Sequence, residues 1–390
     1  MVDTAEALTT LIARACEAEA VALDTEFVWE RTYYPRLGVI QLGLGEDDVH
    51  LLDAPALDDL TPLGTLLADP SVVKVLHDAV QDLTILRRAT GALPQNIFDT
   101  QRAAGFIGLS STISLQDLFI EMVGITLPKG ATRTNWLQRP LSDTQRDYAE
   151  DDVRYLLTAR QRLLDRAVER DRTAWIEEEM QRYAGPAQYA DPDPREQGAR
   201  VKGRGLGRLS PSQRAVLREL AAWREEEAQQ RDVPRRRVLE DEALIEIAQR
   251  RPDRPERIEG KGIRNRERER FGRALVEAVR RGLSVPPEER PARAAKHPDE
   301  DRITARTLVL QAFVAGRCAR EELDAGLIAT RADLKALTED GPEATQHAVL
   351  QGWRRTFIGE DLLALLRGEG AVSLDGPKGW PQLVAKALAE

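Results

Sequence analysis

The sequence predicts an α/β layer fold in the first half of the chain and two small helical domains in the second half. In the first half, short β-branched runs alternate with segments of helical periodicity. Two stretches rich in proline, glycine and charged residues, 185–208 and 286–302, then interrupt the apolar pattern. The segments that follow these stretches, 209–285 and 303–390, have helical periodicity.

The first half contains strand-like runs in a fixed order. The runs "VALDTEF", "GVIQLGL" and "VHLLD" predict three short strands in quick succession, with a turn at "GEDD". "SVVKVL" predicts a further strand followed by a helix, and "NIFDTQRAAGFI" predicts a short strand that continues into another helix. From Leu115 onward the pattern is helical apart from a loop at "LPKGATRTNW", and Ser142 or Asp143 is a plausible N-cap for the helix that follows.

These patterns predict the domain organisation of the chain. We expect three folded regions joined by two linkers, and their bounds are 1–184 for the α/β domain, 185–208 for the first linker, 209–285 for a helical domain, 286–302 for the second linker, and 303–390 for a second, more divergent helical domain.

Composition excludes several classes of protein. Charged residues make up 31% of the chain and no apolar run reaches membrane-spanning length, so we expect no membrane partner. The N-terminal residues lack the pattern of an export signal. The two cysteines, Cys16 and Cys318, are too few and too far apart for a disulfide framework or a zinc site, which points to the cytoplasm.

Charge is distributed unevenly along the chain. Residues 1–165 hold 14 Lys and Arg against 25 Asp and Glu, a net charge of −11. Residues 200–285 hold 23 against 15, a net charge of +8. The acidic and basic regions should therefore have different partners, and the basic region suits a polyanion.

Two carboxylates end the first predicted strand. Side chains in a strand alternate between its faces, so Asp24 and Glu26 lie on one side and Thr25 on the other. Two anions this close repel each other, and either one is protonated or a cation lies between them. The alternative is that the strand ends here and both acids are solvated.

Other side chains could complete a site with this pair. Asp82 follows a later strand and is flanked by apolar residues, and Tyr148 and Asp152 are spaced i and i+4 on one helix face. Four hard oxygen donors without histidine or cysteine suit Mg²⁺ or Mn²⁺, and a pair of such ions is the usual arrangement for phosphodiester hydrolysis. Tyr148 would orient or deprotonate the attacking water.

These residues stand in motifs that resemble a known superfamily. "DTEF", "HDAVQD" and "YAEDD" resemble the three motifs of DEDD exonucleases, and Tyr148 indicates the tyrosine-bearing branch, because the sister branch has a histidine where Asp147 stands. The stretch "LPKGATRTNWLQRPLSDTQRDYAEDDVRYL" resembles the ribonuclease D family within that branch. The resemblance covers about residues 1–180 and implies a ribonuclease H-like mixed sheet flanked by helices. Its catalytic residues map to Asp24, Glu26, Asp82, Tyr148 and Asp152, and the four acids among them would hold two divalent ions.

The helical regions also resemble modules of this family. Residues 209–283 are similar to HRDC-type nucleic-acid-binding domains, on the stretches "RRRVLEDEALIEIAQRRP" and "GIRNRERERFGRALVEAV". Residues 303–390 resemble a second, divergent copy, and a helical domain particular to the family is the alternative. Arg235, Arg236 and Arg237 are candidates for phosphate contact, although mixed charges at helical spacing in this region also fit a solvated, salt-bridged face.

Further candidates for substrate contact lie near the carboxylate motifs. Phe27 could stack on a terminal base or belong to the core, and His77 could touch a phosphate or be structural. The others are Thr25 in the first motif and two cations in the loop before the third motif, Lys129 and Arg133, for which a solvated loop is the alternative.

The resemblance implies a metal-dependent 3′→5′ exoribonuclease. Its substrate would be RNA with a single-stranded 3′ end, including tRNA precursors and other small RNAs, and its products would be 5′-mononucleotides. Two alternatives remain: an exonuclease that acts on DNA, and a non-catalytic RNA-binding scaffold. The helical regions could also contact proteins instead of RNA.

Overall fold

The computed structural model describes residues 1–128, 134–260, 263, 265–292, 297–374, 376 and 379–385. The chain forms two compact units. The first consists of Met1–Glu26, Leu37–Tyr189 and Pro298–Glu390, and the second of Phe27–Arg36 and Ala190–His297.

A five-stranded mixed sheet forms the centre of the first unit. Its strands lie in the order β3-β2-β1-β4-β5. Strands β1, β4 and β5 are parallel, and β2 pairs antiparallel with β3. The strand-like runs of the sequence are confirmed, with bounds β1 Ala20–Val28, β2 Arg36–Gly45, β3 Asp48–Asp53, β4 Val73–Leu76 and β5 Ile97–Asp99.

Helices cover this sheet and bury its apolar side chains. Their bounds are α1 Ala5–Ala15, α2 Thr61–Ala68, α3 Val80–Thr90, α4 Thr100–Gly105, α5 Leu115–Val123, α6 Asp143–Arg154, α7 Leu156–Glu169 and α8 Thr173–Met180. Helix α6 begins with a capping box in which Ser142 and Gln145 bond to each other's backbone N–H groups, so Ser142 is the N-cap. The helical stretch that follows Ser142 is interrupted at Tyr155, between α6 and α7.

Sequence analysis did not identify helix α1. Thr4 caps it, and its buried residues, Leu8, Leu11, Ile12 and Ala15, have the i, i+3, i+4, i+7 spacing of an amphipathic helix. These side chains belong to the core of the first unit. This spacing is a sequence signal that identifies the helix.

The C-terminal region packs into the same core as the sheet. It contains α13 Glu300–Arg320, α14 Arg331–Asp340, α15 Gly352–Arg354 with a π-helical turn at Arg355–Gly359, and α16 Glu360–Arg367. Leu310, Phe313 and Trp353 are buried in one cluster with side chains of the sheet and its helices. The region is not purely helical, because β6 Gly370–Leu374 and β7 Pro381–Ala385 form an antiparallel hairpin.

The second unit is helical around its own core. Its bounds are α9 Pro211–Gln230, α10 Arg235–Val238, α11 Asp241–Arg250 and α12 Asn265–Ser284. Part of the expected linker is folded here, since a 3₁₀ helix spans Pro194–Arg200 and Val201 lies in the core. The segment after β1 also belongs to this unit: the backbone N–H groups of Tyr33 and Tyr34 donate to Asp232.

The two compact units divide the chain differently from the domain bounds drawn on the sequence, which stay a prediction. Within the described ranges, no helix is both long enough and apolar enough to span a membrane.

Candidate metal centre

Three carboxylates converge at the end of strand β1. Asp24 and Glu26 project from β1, and Asp152 lies on α6. One carboxylate oxygen from each residue lies within 4.8 Å of the other two. The alternation of the strand and the position of α6 over the sheet thus produce a compact set of oxygen donors.

The fourth predicted acid, Asp82, lies outside this set of three, but its charge acts on Asp24. Asp82 lies in the first turn of α3 and is buried. The Thr25 hydroxyl donates a hydrogen bond to its carboxylate. Thr25 is the residue between Asp24 and Glu26, so one strand supplies two acids of the cluster and orients Asp82.

Another carboxylate, that of Asp99, stabilises the turn that precedes α3. Asp99 is 1% exposed and accepts hydrogen bonds from the backbone N–H groups of Asp78 and Ala79 at 3.2 and 3.0 Å. It also accepts from the Tyr183 hydroxyl at 2.6 Å and caps α4. Asp78 has a φ of 58°, which is uncommon for a residue other than glycine. Asp99 therefore stabilises the turn that places Asp82, and sequence analysis did not identify this role.

Tyr148 lies one helical turn before Asp152, and its hydroxyl donates to that carboxylate. Its ring packs near the buried Trp136, with the two ring centroids 6.1 Å apart. The tryptophan of the "TNW" stretch thus packs beside the phenol. Burial, and next to it the charge of Asp152, raise the pKa of Tyr148, so the phenol is a hydrogen-bond donor in this state.

Crowding shifts the acidity of all four carboxyl groups. Burial, and then the charges of the neighbouring acids, raise the pKa of Asp24 well above its ordinary value and that of Glu26 to about 8. Burial likewise raises the pKa of Asp82 and of Asp152 to about 7, against the hydrogen bonds from Thr25 and Tyr148. Among the residues that the structure describes, no basic side chain contributes to these shifts. Oxygen donors crowded together without a cation fit divalent ions of the Mg²⁺ or Mn²⁺ type.

The candidate substrate contacts near the cluster have different surroundings. The His77 ring bonds through Nδ1 to the Thr100 hydroxyl and through Nε2 to the Ile113 carbonyl, both at 2.9 Å. Both ring nitrogens are used within the fold, which favours the structural alternative. The Thr25 hydroxyl is likewise engaged with Asp82, and Phe27 is half-buried. Lys129 and Arg133 lie outside the described residues.

The three candidate arginines of the second unit also differ from one another. Arg235 donates to Gln197 at 3.2 Å and lies 3.5 Å from the buried carboxylate of Glu225, so it is a structural residue at least in part. Arg236 and Arg237 are exposed and make no ion pair within the described part of the chain. These two are the better candidates for phosphate contact.

Comparisons with known proteins show which family the chain is similar to. Residues 1–167 match the family of 3′-5′ exonuclease domains, and residues 213–279 match the HRDC domain. Ribonuclease D of Desulfotalea psychrophila is 38% identical over 360 residues, which cover 92% of this chain and 96% of that protein. Ribonuclease D of Gluconacetobacter diazotrophicus is 37% identical and covers 97% of this chain and 95% of its own length.

A solved structure matches over nearly the whole fold. The crystal structure of Escherichia coli RNase D, described as an exoribonuclease involved in structured RNA processing, aligns with a TM-score of 0.81 and 29% identity. The alignment covers 94% of this chain and 98% of that one. Together with the sequence relatives, this places the chain in the ribonuclease D family of 3′-5′ exoribonucleases.

Proposed function

We propose that this exoribonuclease acts through two divalent ions, Mg²⁺ or Mn²⁺, held by Asp24, Glu26, Asp82 and Asp152. The observation that carries the proposal is the convergence of three carboxylates, those of Asp24, Glu26 and Asp152, with the charge of a fourth, Asp82, acting on Asp24. When bound, such a pair of ions activates a water and stabilises the leaving oxygen in phosphodiester hydrolysis, and 5′-mononucleotides are the products.

The chain's own residues would orient the reactants. Thr25 holds the Asp82 carboxylate in one orientation through its hydroxyl. Tyr148 directs its proton to Asp152, so its role is to orient the attacking water, which can donate a hydrogen bond to the phenol oxygen. Trp136 restricts the position of the phenol ring by packing beside it.

We propose that the substrate is RNA with a single-stranded 3′ end, with tRNA precursors and other small RNAs as the physiological class. The description of the E. coli relative as acting in structured RNA processing supports this class. The HRDC match and the exposed Arg236 and Arg237 support contact with a nucleic-acid backbone outside the metal centre. A cytoplasmic location, expected from the few cysteines, stays a prediction.

A pair of neighbouring acids provides the test of the metal centre. Asp152→Asn should abolish hydrolysis of a 5′-labelled RNA and leave RNA binding within about twofold of the wild type, because the carboxylate serves the ions and the arginines serve the backbone. Asp151→Asn is the matched control, since Asp151 pairs with Arg154 at 3.1 Å and lies outside the cluster. Full activity of Asp152→Asn would overturn the assignment.

The phenol and the substrate class need separate measurements. Tyr148→Phe should slow hydrolysis about 10²-fold or more and leave metal affinity nearly unchanged, since general acid–base and orienting groups contribute about 10²–10⁴-fold. Equal degradation of a DNA oligonucleotide of matched sequence would favour a general exonuclease. Binding without hydrolysis in any divalent ion would favour the scaffold alternative.

A further inference from the structure

A buried amide in the central sheet has no partner. Gln41 lies in the middle of β2 and is 0% exposed, and neither its Oε1 nor its Nε2 makes a hydrogen bond to any residue that the structure describes. Its neighbours on the strand, Ile40 and Leu42, are equally buried and apolar. A core position with an unsatisfied amide is costly, so a function for that amide is the natural explanation.

The side chain of Gln41 lies on the sheet face that carries the metal centre. A Cβ atom added at Gly43 would lie 3.6 Å from the Val153 side chain, so this face of β2 is covered by α6 next to Asp152. Strand β2 pairs with β3 in regular register from Val39 to Gly43. Gln41 and Gly43 are two residues apart in that regular stretch and therefore project to the same face.

The position of Gln41 relative to β1 follows from the same glycine. The Cβ added at Gly43 would lie 3.3 Å from the Ala22 Cβ, so these two residues are cross-strand neighbours. Strands β1 and β2 are adjacent in the sheet, and seven residues without a helix join them. A connection between parallel strands needs a dozen or more residues, so β1 and β2 run antiparallel. In an antiparallel pair, a step of two residues back from Gly43 on β2 corresponds to a step of two residues forward from Ala22 on β1. Gln41 is therefore the cross-strand neighbour of Asp24, with about 5 Å between their Cβ atoms.

We propose that Gln41 is a positioning residue of the metal centre, whose Nε2 donates to the Asp24 carboxylate oxygen turned away from the ions. The inference rests on the proposed function, in which Asp24 holds an ion. A hydrogen bond from behind fixes the rotation of a ligating carboxylate, and loss of such a partner weakens metal binding about 10- to 100-fold. In this structure the amide makes no hydrogen bond to Asp24 or to any other described residue, so the bond would form when an ion binds and orders that carboxylate.

The test compares metal affinity with stability. Gln41→Met keeps the length of the side chain and removes the amide, and its affinity for Mn²⁺, measured by titration calorimetry without RNA, should fall about 10- to 100-fold. Its unfolding midpoint in EDTA should equal or exceed that of the wild type, because the unpartnered amide no longer has to be buried. Ile40→Met is the matched control: it places the same side chain on the opposite face of the same strand and should leave Mn²⁺ affinity unchanged.

Two results would overturn the inference. The first is an unchanged Mn²⁺ affinity in Gln41→Met, and the second is a loss of stability in EDTA that accompanies the loss of affinity, since Gln41 would then serve packing alone. Asp24→Asn separates this failure from that of the proposed function. If Asp24→Asn binds Mn²⁺ as the wild type does, the metal centre itself is misassigned; if it does not, only the role of Gln41 fails.

Discussion

The hydrogen bond from Thr25 to Asp82 gives a sharp prediction about the geometry of the metal centre. Thr25 is 5% exposed, and its hydroxyl donates to the carboxylate of Asp82. Thr25→Val keeps the shape of the side chain and removes the donor. A hydrogen bond to a charged acceptor contributes about 1.5–3 kcal/mol. At about 1.4 kcal/mol per factor of ten, its full loss in the reacting complex lowers the rate about 10- to 100-fold.

The assay is single-turnover degradation of a 5′-labelled single-stranded RNA at saturating Mg²⁺. At saturating Mg²⁺ the measured rate does not depend on how tightly the ions bind. The effect of Thr25→Val on ion affinity is therefore measured separately by titration with Mn²⁺, which should show weaker binding. Thr25→Ser retains the hydroxyl and should recover most of the rate, which makes it the matched control. A rate for Thr25→Val within twofold of the wild type in both assays would refute the reasoning that Thr25 orients Asp82.

Three other predictions concern stability and RNA binding. Asp99→Ala removes the acceptor for two backbone N–H groups and for the Tyr183 hydroxyl. The free energy of unfolding, measured by urea titration, should fall by about 3–5 kcal/mol. A loss under about 1 kcal/mol would contradict the structural role of Asp99. Burial lowers the pKa of Lys74 to about 8, so the unfolded chain binds this proton more tightly than the folded chain does. The free energy of unfolding of the wild type should therefore rise by about 3 kcal/mol between pH 8 and 10.5. Lys74→Met should lack this rise, and equal pH profiles of stability for the two proteins would contradict the prediction. Replacing Arg236 and Arg237 together by Gln should reduce the salt slope of RNA affinity by about 1.4, and an unchanged slope would show that neither contacts phosphate.

The candidate site was the part of the molecule most accessible from sequence. Strand alternation places Asp24 and Glu26 on one face, and i, i+4 spacing places Tyr148 beside Asp152. Both rules act over a few residues, so they need no knowledge of the fold. The role of Asp99 was not predictable in this way, because its partners Asp78 and Tyr183 lie 21 and 84 residues away.

The assignment of the C-terminal region to the first unit also depends on distant contacts. The buried carboxylate of Glu179 binds Arg102 and Arg354, both at 2.6 Å, and the latter is 175 residues away in the chain. Periodicity showed that helices are present after residue 303, but an apolar helix face carries no information about which core it covers. Sequence periodicity therefore predicts the helices of this region but not the core against which they pack.

Net charge predicted the basic character of the second unit but not the state of its arginines. Arg224 pairs with Asp241 at 2.7 Å, and the buried Glu219 lies within 4.0 Å of three arginines. These cations are engaged within the unit. A charge count does not distinguish them from exposed residues such as Arg236, because pairing depends on how the helices pack.

The central claim is that the cluster around Asp24 holds divalent ions for hydrolysis from the 3′ end of RNA. The most direct measurement is a time course of 5′-labelled single-stranded RNA with Mg²⁺, with Mn²⁺ and with EDTA, beside a DNA oligonucleotide of the same sequence and the Asp24→Asn variant. We predict a ladder that shortens from the 3′ end of RNA with either ion, and none with EDTA or with the variant. Degradation that continues in EDTA, or an Asp24→Asn variant as active as the wild type, would contradict the account.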